Sequence, residues 1–212
     1  NFAILTYFPA LGFPLTEPRN YFFANLLYMT VNFAVMLLIF RRTLWQSLRE
    51  FEGKMLLSVL IGFGMCYGAN LVLTTAYTVL DIMPENYNQE AVNSLLGGYP
   101  LAMTLCTVVL APLAEECLFR GVLFAPLARR CLPAAYALSM FLFAGMHVFQ
   151  FLGSMTAANT ILCLSLYLPA SFSLCWVYQK TGNIWACIFL HMFINFQSVL
   201  ASLLRSLMQA FL

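Results

Sequence analysis

The sequence predicts an all-α fold, a polytopic bundle of about six membrane-spanning helices around an intramembrane polar cavity. Three observations carry that prediction. Of 212 residues, 62% are hydrophobic and only 8% are charged, whereas soluble domains carry about 25% charged residues. Such a composition cannot cover a water-facing surface. Uncharged runs recur at the length that the ~30 Å hydrocarbon core of a bilayer demands. Basic residues gather in alternate connections between those runs, the asymmetry that orients membrane helices.

Residues 1–20 hold Pro9, Pro14 and Pro18 with aromatic residues between them, which predicts a short interfacial segment rather than a straight spanning helix. The first residue is Asn, so the numbering is read as starting inside a longer or processed product. The start also lacks the basic region of a secretory signal. The first span is Tyr21 to Phe40, without a charge. Arg41, Arg42, Arg49 and Lys54 then mark a cytoplasmic connection. The second span, Met55 to Leu80, contains Gly62, Gly64 and Gly68, small residues that let helices approach closely in lipid. Residues 81–98 carry Asp81, Glu85 and Glu90 and no Lys or Arg, which fits an outer loop with a turn at 83–88. The third span runs inward from Tyr99 toward Arg129 and Arg130. The fourth runs from Leu132 to about Phe151. The fifth, Thr156 to Tyr178, has Pro169 to kink it. The sixth runs from Ile184 to Met208. Both ends fall on the outer side.

The chain reads as one integral membrane domain over 1–212, with no internal repeat and no soluble domain. A formal net charge of +2 argues against a nucleic-acid partner. The seven cysteines, Cys66, Cys106, Cys117, Cys131, Cys163, Cys175 and Cys187, have no CxxC spacing and read as small buried hydrophobes. A disulfide framework or thiolate metal site is not supported.

Against this background Glu115, Glu116 and Arg120 stand out as three charges in six residues of an apolar span. A charge at the bilayer centre costs about 2.5–3.5 kcal/mol on insertion scales, so each needs a partner, water or a purpose. Glu116 and Arg120 are four residues apart and share a helix face, acid before base. Glu115 is turned about 100° away and is free to face a cavity. The only two histidines, His147 and His191, also lie within spans. His191 shares a face with Asn195, and His147 with Phe143. Taken singly, each group has a bland reading: a structural ion pair, or polar contacts between helices. Together, a free carboxylate, two imidazoles and an amide can activate a water and stabilise an oxyanion. Counted from the inner helix ends, Glu115 and Asn195 lie at a similar depth of about 15 Å. His191 comes out shallower and His147 several ångströms deeper, the weak point of the arrangement.

Glu115-Glu116-x-x-x-Arg120, Phe143-x-x-x-His147 and His191-x-x-x-Asn195, in that order on successive spans, resemble the motifs of the CAAX-protease and bacteriocin-processing (CPBP, or Abi) family of intramembrane endopeptidases. The resemblance covers about residues 99–200, and implies a catalytic helical core at 99–212 behind an N-terminal part, 1–98, of interfacial segment and two spans. It implies a glutamate-type peptidase with no metal and no cofactor. Glu115 would be the general base, His147 would help to position the water, and His191 and Asn195 would form the oxyanion hole. Glu116 and Arg120 would support the geometry, with Phe143 packed beside His147. The implied substrate is a membrane-associated peptide or protein, a prenylated protein or a bacteriocin or pheromone precursor among them. The compact chain fits a bacterial or archaeal cell membrane. Two alternatives stay open: a zinc-dependent membrane peptidase, although HExxH is absent, and a non-catalytic scaffold or immunity protein.

Overall fold

The computed structural model describes residue 9 and residues 12–211. The described residues form helices joined by short connections, six of them long and apolar enough to cross a membrane. They are α1 (Pro18–Arg49), α2 (Met55–Val79), the shorter α3 (Tyr87–Gly98), α4 (Pro100–Ala128), α5 (Leu132–Val148), α6 (Ala157–Thr181) and α7 (Ile184–Ala210). Large apolar side chains on the outer faces, such as Leu38, Ile39, Leu57 and Val72, stay exposed, as a lipid-facing belt requires.

Several boundaries differ from the expectation. Half of the proline-rich interfacial segment, residues 1–8, 10 and 11, lies outside the described residues. Its last part does not interrupt the helix, because Pro18 sits in the first turn of α1, where a missing N–H costs nothing. Arg41, Arg42 and Arg49 belong to α1 itself, which extends well beyond Phe40. Residues 87–98 are helical, not loop. Asn86 caps that helix by accepting the Gln89 N–H at 3.1 Å, and Leu95 and Leu96 bury its apolar side. The fourth span stops at Val148 and continues as a 3₁₀ turn over Phe149–Ser154. Pro169 lies inside α6 without ending it.

The two ends of the bundle are tied by different chemistry. At the end holding the basic connections, α6 stops on Gly182, whose φ of 62° is the left-handed cap that glycine adopts freely. Asn183 then caps α7 and donates to the Ser47 carbonyl at 2.6 Å, while the Ser47 hydroxyl accepts from the Ile184 N–H at 3.0 Å. These bonds satisfy an orphan carbonyl at the end of α1. At the opposite end, Glu85 and Asn159 exchange two hydrogen bonds, 2.9 and 3.1 Å long, fastening the start of the α3 segment to α6. Between the ends, Val59, Phe119, Phe143, Leu174, Val177 and Leu190 form a core shared by α2, α4, α5, α6 and α7. A Cβ on Gly62 would meet Val177 at 2.6 Å and Leu190 at 2.9 Å, so α2 docks through bare backbone. All seven cysteines are unpaired; six are buried and Cys131 is exposed.

Candidate active site

α4 is not a uniform helix. Residues Cys106–Leu110 and Cys117–Phe124 are wound as π-helix, and each stretch runs up to an Ala-Pro pair, Ala111-Pro112 and Ala125-Pro126. The Ala111 N–H bonds to the carbonyl of Cys106, five residues back. The next N–H in that pattern would serve Thr107, but position 112 is proline and has none. A π-turn adds one residue to the helix. Thr107 and Glu115, eight apart, are therefore separated by about seven ordinary helical steps, roughly two full turns. Both point at one cavity, together with Ala111 between them.

Glu116 and Arg120 are both 0% exposed. Arg120 meets the Glu116 carboxylate at 3.2 Å through Nη1 and at 3.1 Å through Nε. Its Nη2 donates to the Ser171 carbonyl of α6 at 3.1 Å and to the Ser171 hydroxyl at 3.3 Å. The guanidinium carbon lies 5.1 Å from the centre of the Phe143 ring. The buried pair is thus answered from α4, α5 and α6 at once.

His191 completes the cluster from α7. Its Nδ1 lies 2.7 Å from Glu116 Oε1, so Nδ1 donates and the tautomer is set by a carboxylate. Its Nε2 is left facing Glu115, 3.7 Å from Oε2. Glu115 Oε2 is buried and has no hydrogen-bond partner among the described residues. The Glu115 side chain keeps 19% of its surface exposed, whereas Glu116 keeps none. One turn further along α7, Asn195 donates to the Thr107 carbonyl at 2.8 Å, which answers the carbonyl that Pro112 leaves without a helical donor. An amide nitrogen carries two hydrogens, so one remains for another acceptor.

The cavity has a volume of about 240 Å³. Glu115, His147, Asn195 and Thr107 all line it; His191 is not among its lining residues. A smaller apolar cavity of about 70 Å³ adjoins it, sharing Tyr28, Met29, Ala111, Glu115 and Met146. The expected depth mismatch does not keep His147 away. Glu115 and His147 line the same cavity: Glu115 stands about 20 Å from the Ala128 end of α4 and His147 about 22 Å from the Leu132 end of α5, which follows it in the chain. His147 Nδ1 lies 2.9 Å from the Phe143 carbonyl. A carbonyl can only accept, so Nδ1 carries the proton of the neutral ring and Nε2 is left as an acceptor. Phe143 is 2% exposed, with its ring centre 4.9 Å from that of His147.

Every residue singled out in the sequence therefore falls in one cluster, in two layers. Glu116, Arg120, His191 and Phe143 are buried, and Glu115, His147 and Asn195 reach the cavity. Sequence reasoning missed Thr107, Tyr167 and the α3 side chains Asn88 and Gln89 that line the outer part. None of them carries a formal charge, and Pro112 signals only that a carbonyl about one turn earlier lacks its helical donor; the π winding makes that carbonyl the one of Thr107.

Comparison with known proteins gives the same region. Residues 97–197 match the family described as type II CAAX prenyl endopeptidase Rce1-like. The chain is also 27% identical over 209 residues to the Bacillus subtilis (strain 168) protein described as "Putative membrane peptidase YdiL", covering 92% of this chain and 81% of that one. No solved structure matches.

Proposed function

We infer, from a multi-pass membrane chain whose residues 97–197 match the Rce1-like endopeptidase family, that the cavity is the active site of an intramembrane endopeptidase acting on a membrane-associated peptide or protein. One observation carries the finer reading, that catalysis is by glutamate. Two adjacent carboxylates have separate surroundings: Glu116 is spent on Arg120 and His191, while Glu115 opens to the cavity.

In this reading Glu115 takes a proton from a water held between it and His147 Nε2. The resulting hydroxide adds to the scissile carbonyl carbon, and the carbonyl π electrons move onto oxygen. The remaining N–H of Asn195 stabilises that oxyanion, a contribution worth about 10²–10³ in rate for one such donor. His191 Nε2 stands beside Glu115 and serves as the second donor when it carries a proton. Collapse of the tetrahedral intermediate breaks the C–N bond, and Glu115 returns its proton to the departing amine. Glu116 fixes the tautomer of His191, and Arg120 fixes Glu116. No metal or cofactor enters any step. Prenylated proteins and unmodified peptide precursors are both substrates that this site is proposed to take.

Peptide mass spectrometry of membranes carrying the wild type or Glu115→Gln tests the reading. Products present only with the wild type, and lost equally with His147→Ala, support it. Cleavage by Glu115→Gln at the wild-type rate overturns it.

A further inference from the structure

His147 has two rings against it. Phe143 precedes it by one turn of α5, and Tyr167 reaches it from α6, stacked at 4.5 Å between ring centres with 24° between the planes. The hydrogen bond from Nδ1 to the Phe143 carbonyl fixes one point of the imidazole. A single bond leaves a ring free to pivot about the N···O line. A stacked ring removes that freedom.

Tyr167 is itself held. Its hydroxyl donates to Asn86 Oδ1 at 3.0 Å and accepts from Asn88 Nδ2 at 3.2 Å. The same Asn86 oxygen caps α3 through the Gln89 N–H. The start of α3 therefore grips the phenol, and the face of the phenol carries His147. Tyr167 also lines the cavity with Glu115 and His147.

We propose that Tyr167 is a positioning residue for cleavage: it sets the plane of the His147 imidazole so that Nε2 addresses the water beside Glu115, and α3 anchors it through Asn86 and Asn88. This rests on the assignment of His147 to the active site. It adds a requirement for a non-ionised side chain outside the charged cluster, and it gives α3 a part in the reaction without a direct contact to the chemistry.

The test reads the ring directly as well as the rate. The protein is labelled with ¹⁵N/¹³C-histidine in detergent micelles. It has two histidines, and the spectrum of His147→Ala assigns them. Tyr167→Leu should move the His147 ring signals away from their ring-current-shifted positions and lower kcat by about 10- to 100-fold, as displacement of a catalytic group does, with KM within about two-fold. Tyr167→Phe keeps the stacked face but loses the hydroxyl that Asn86 and Asn88 hold, so it should keep the ring-current shift with broader signals, as in Asn86→Ala, and a kcat well above that of Tyr167→Leu. Asn86→Ala should broaden those signals and lower kcat to a smaller degree. Unchanged His147 signals and unchanged kcat in Tyr167→Leu overturn the proposal, as does a Tyr167→Phe variant no better than Tyr167→Leu. If His147→Ala itself cleaves at the full rate, the active-site reading fails, while the spectra still decide whether Tyr167 orients the ring.

Discussion

Asn195 and Thr107 are joined by a hydrogen bond that a third residue makes necessary. The Thr107 carbonyl lies five residues before Pro112 in a π-wound stretch, so its own helix offers it no N–H, and the Asn195 side chain takes that place at 2.8 Å. A proline on one helix thus orients an amide on another.

Pro112→Ala should return an N–H to α4 and release Asn195. Cleavage is expected to fall by about ten-fold in kcat, less than the 10²–10³ expected for Asn195→Ala. Added to Asn195→Ala, the proline substitution should cost little more, since the two act on one interaction. Rates of the two single variants and the double variant check this, and an undiminished cost of Pro112→Ala in the double variant shows that the proline acts elsewhere.

Removing one member of the buried pair leaves an uncompensated charge. Arg120→Met should destabilise the protein by about 3–5 kcal/mol, and Glu116→Gln combined with Arg120→Met by less than Arg120→Met alone. Thermal unfolding in detergent measures both. Activity should vanish in the double variant, because His191 loses the carboxylate that sets its tautomer, and fall in Arg120→Met, because Glu116 loses the guanidinium that fixes it.

Glu116 already receives Arg120 and His191, so a metal ligated by the Glu115, Glu116 and His191 side chains would have to displace the guanidinium. Cleavage is expected to survive strong chelation unchanged. Stoichiometric zinc in the purified protein together with chelator-sensitive cleavage would instead establish a zinc peptidase.

Two glycines should respond differently to the same added methyl group. At Gly62 the new atom meets Val177 at 2.6 Å and Leu190 at 2.9 Å, both in the packed core; at Gly121 it meets the edge of the Phe40 ring at 2.7 Å, on a half-buried side chain that can turn. Gly62→Ala should cost about 1–3 kcal/mol, as overpacking does. Gly121→Ala should cost less. Melting temperatures of the two variants decide the order.

The residues that carry charge are legible in the order of the amino acids. The four-residue spacings of Glu116 with Arg120, and of His191 with Asn195, place each pair on one face; Glu116, Arg120 and His191 meet in the folded chain, and Asn195 reaches the cavity that Glu115 lines. Five of the six spans end within a few residues of the boundaries expected from the sequence. α1 is the exception, because a helix does not stop where a membrane does, and Arg41 and Arg42 continue it into water. α3 is hidden because its sequence mixes amides, glycines and only a few apolar residues, while Pro84 just before it suggests a turn. Tyr167 and Thr107 are hidden for another reason. A neutral side chain or a backbone carbonyl carries no cost that a sequence displays, and their importance comes from partners far along the chain.

The Glu116–Arg120 pair lies within one helix, and this bears on how the protein is made. α4 precedes α6 and α7 in the chain, so Ser171 and His191 do not yet exist as partners when α4 leaves the ribosome. An acid and a base one turn apart can neutralise each other at once, and the helix can enter the bilayer carrying its own counter-ion. Had the arginine been placed on α6, Glu116 would have had to enter lipid alone, at about 2.5–3.5 kcal/mol. What stays unanswered as α4 enters is the single carboxylate of Glu115, and α7, which follows later in the chain, brings the imidazole that faces it.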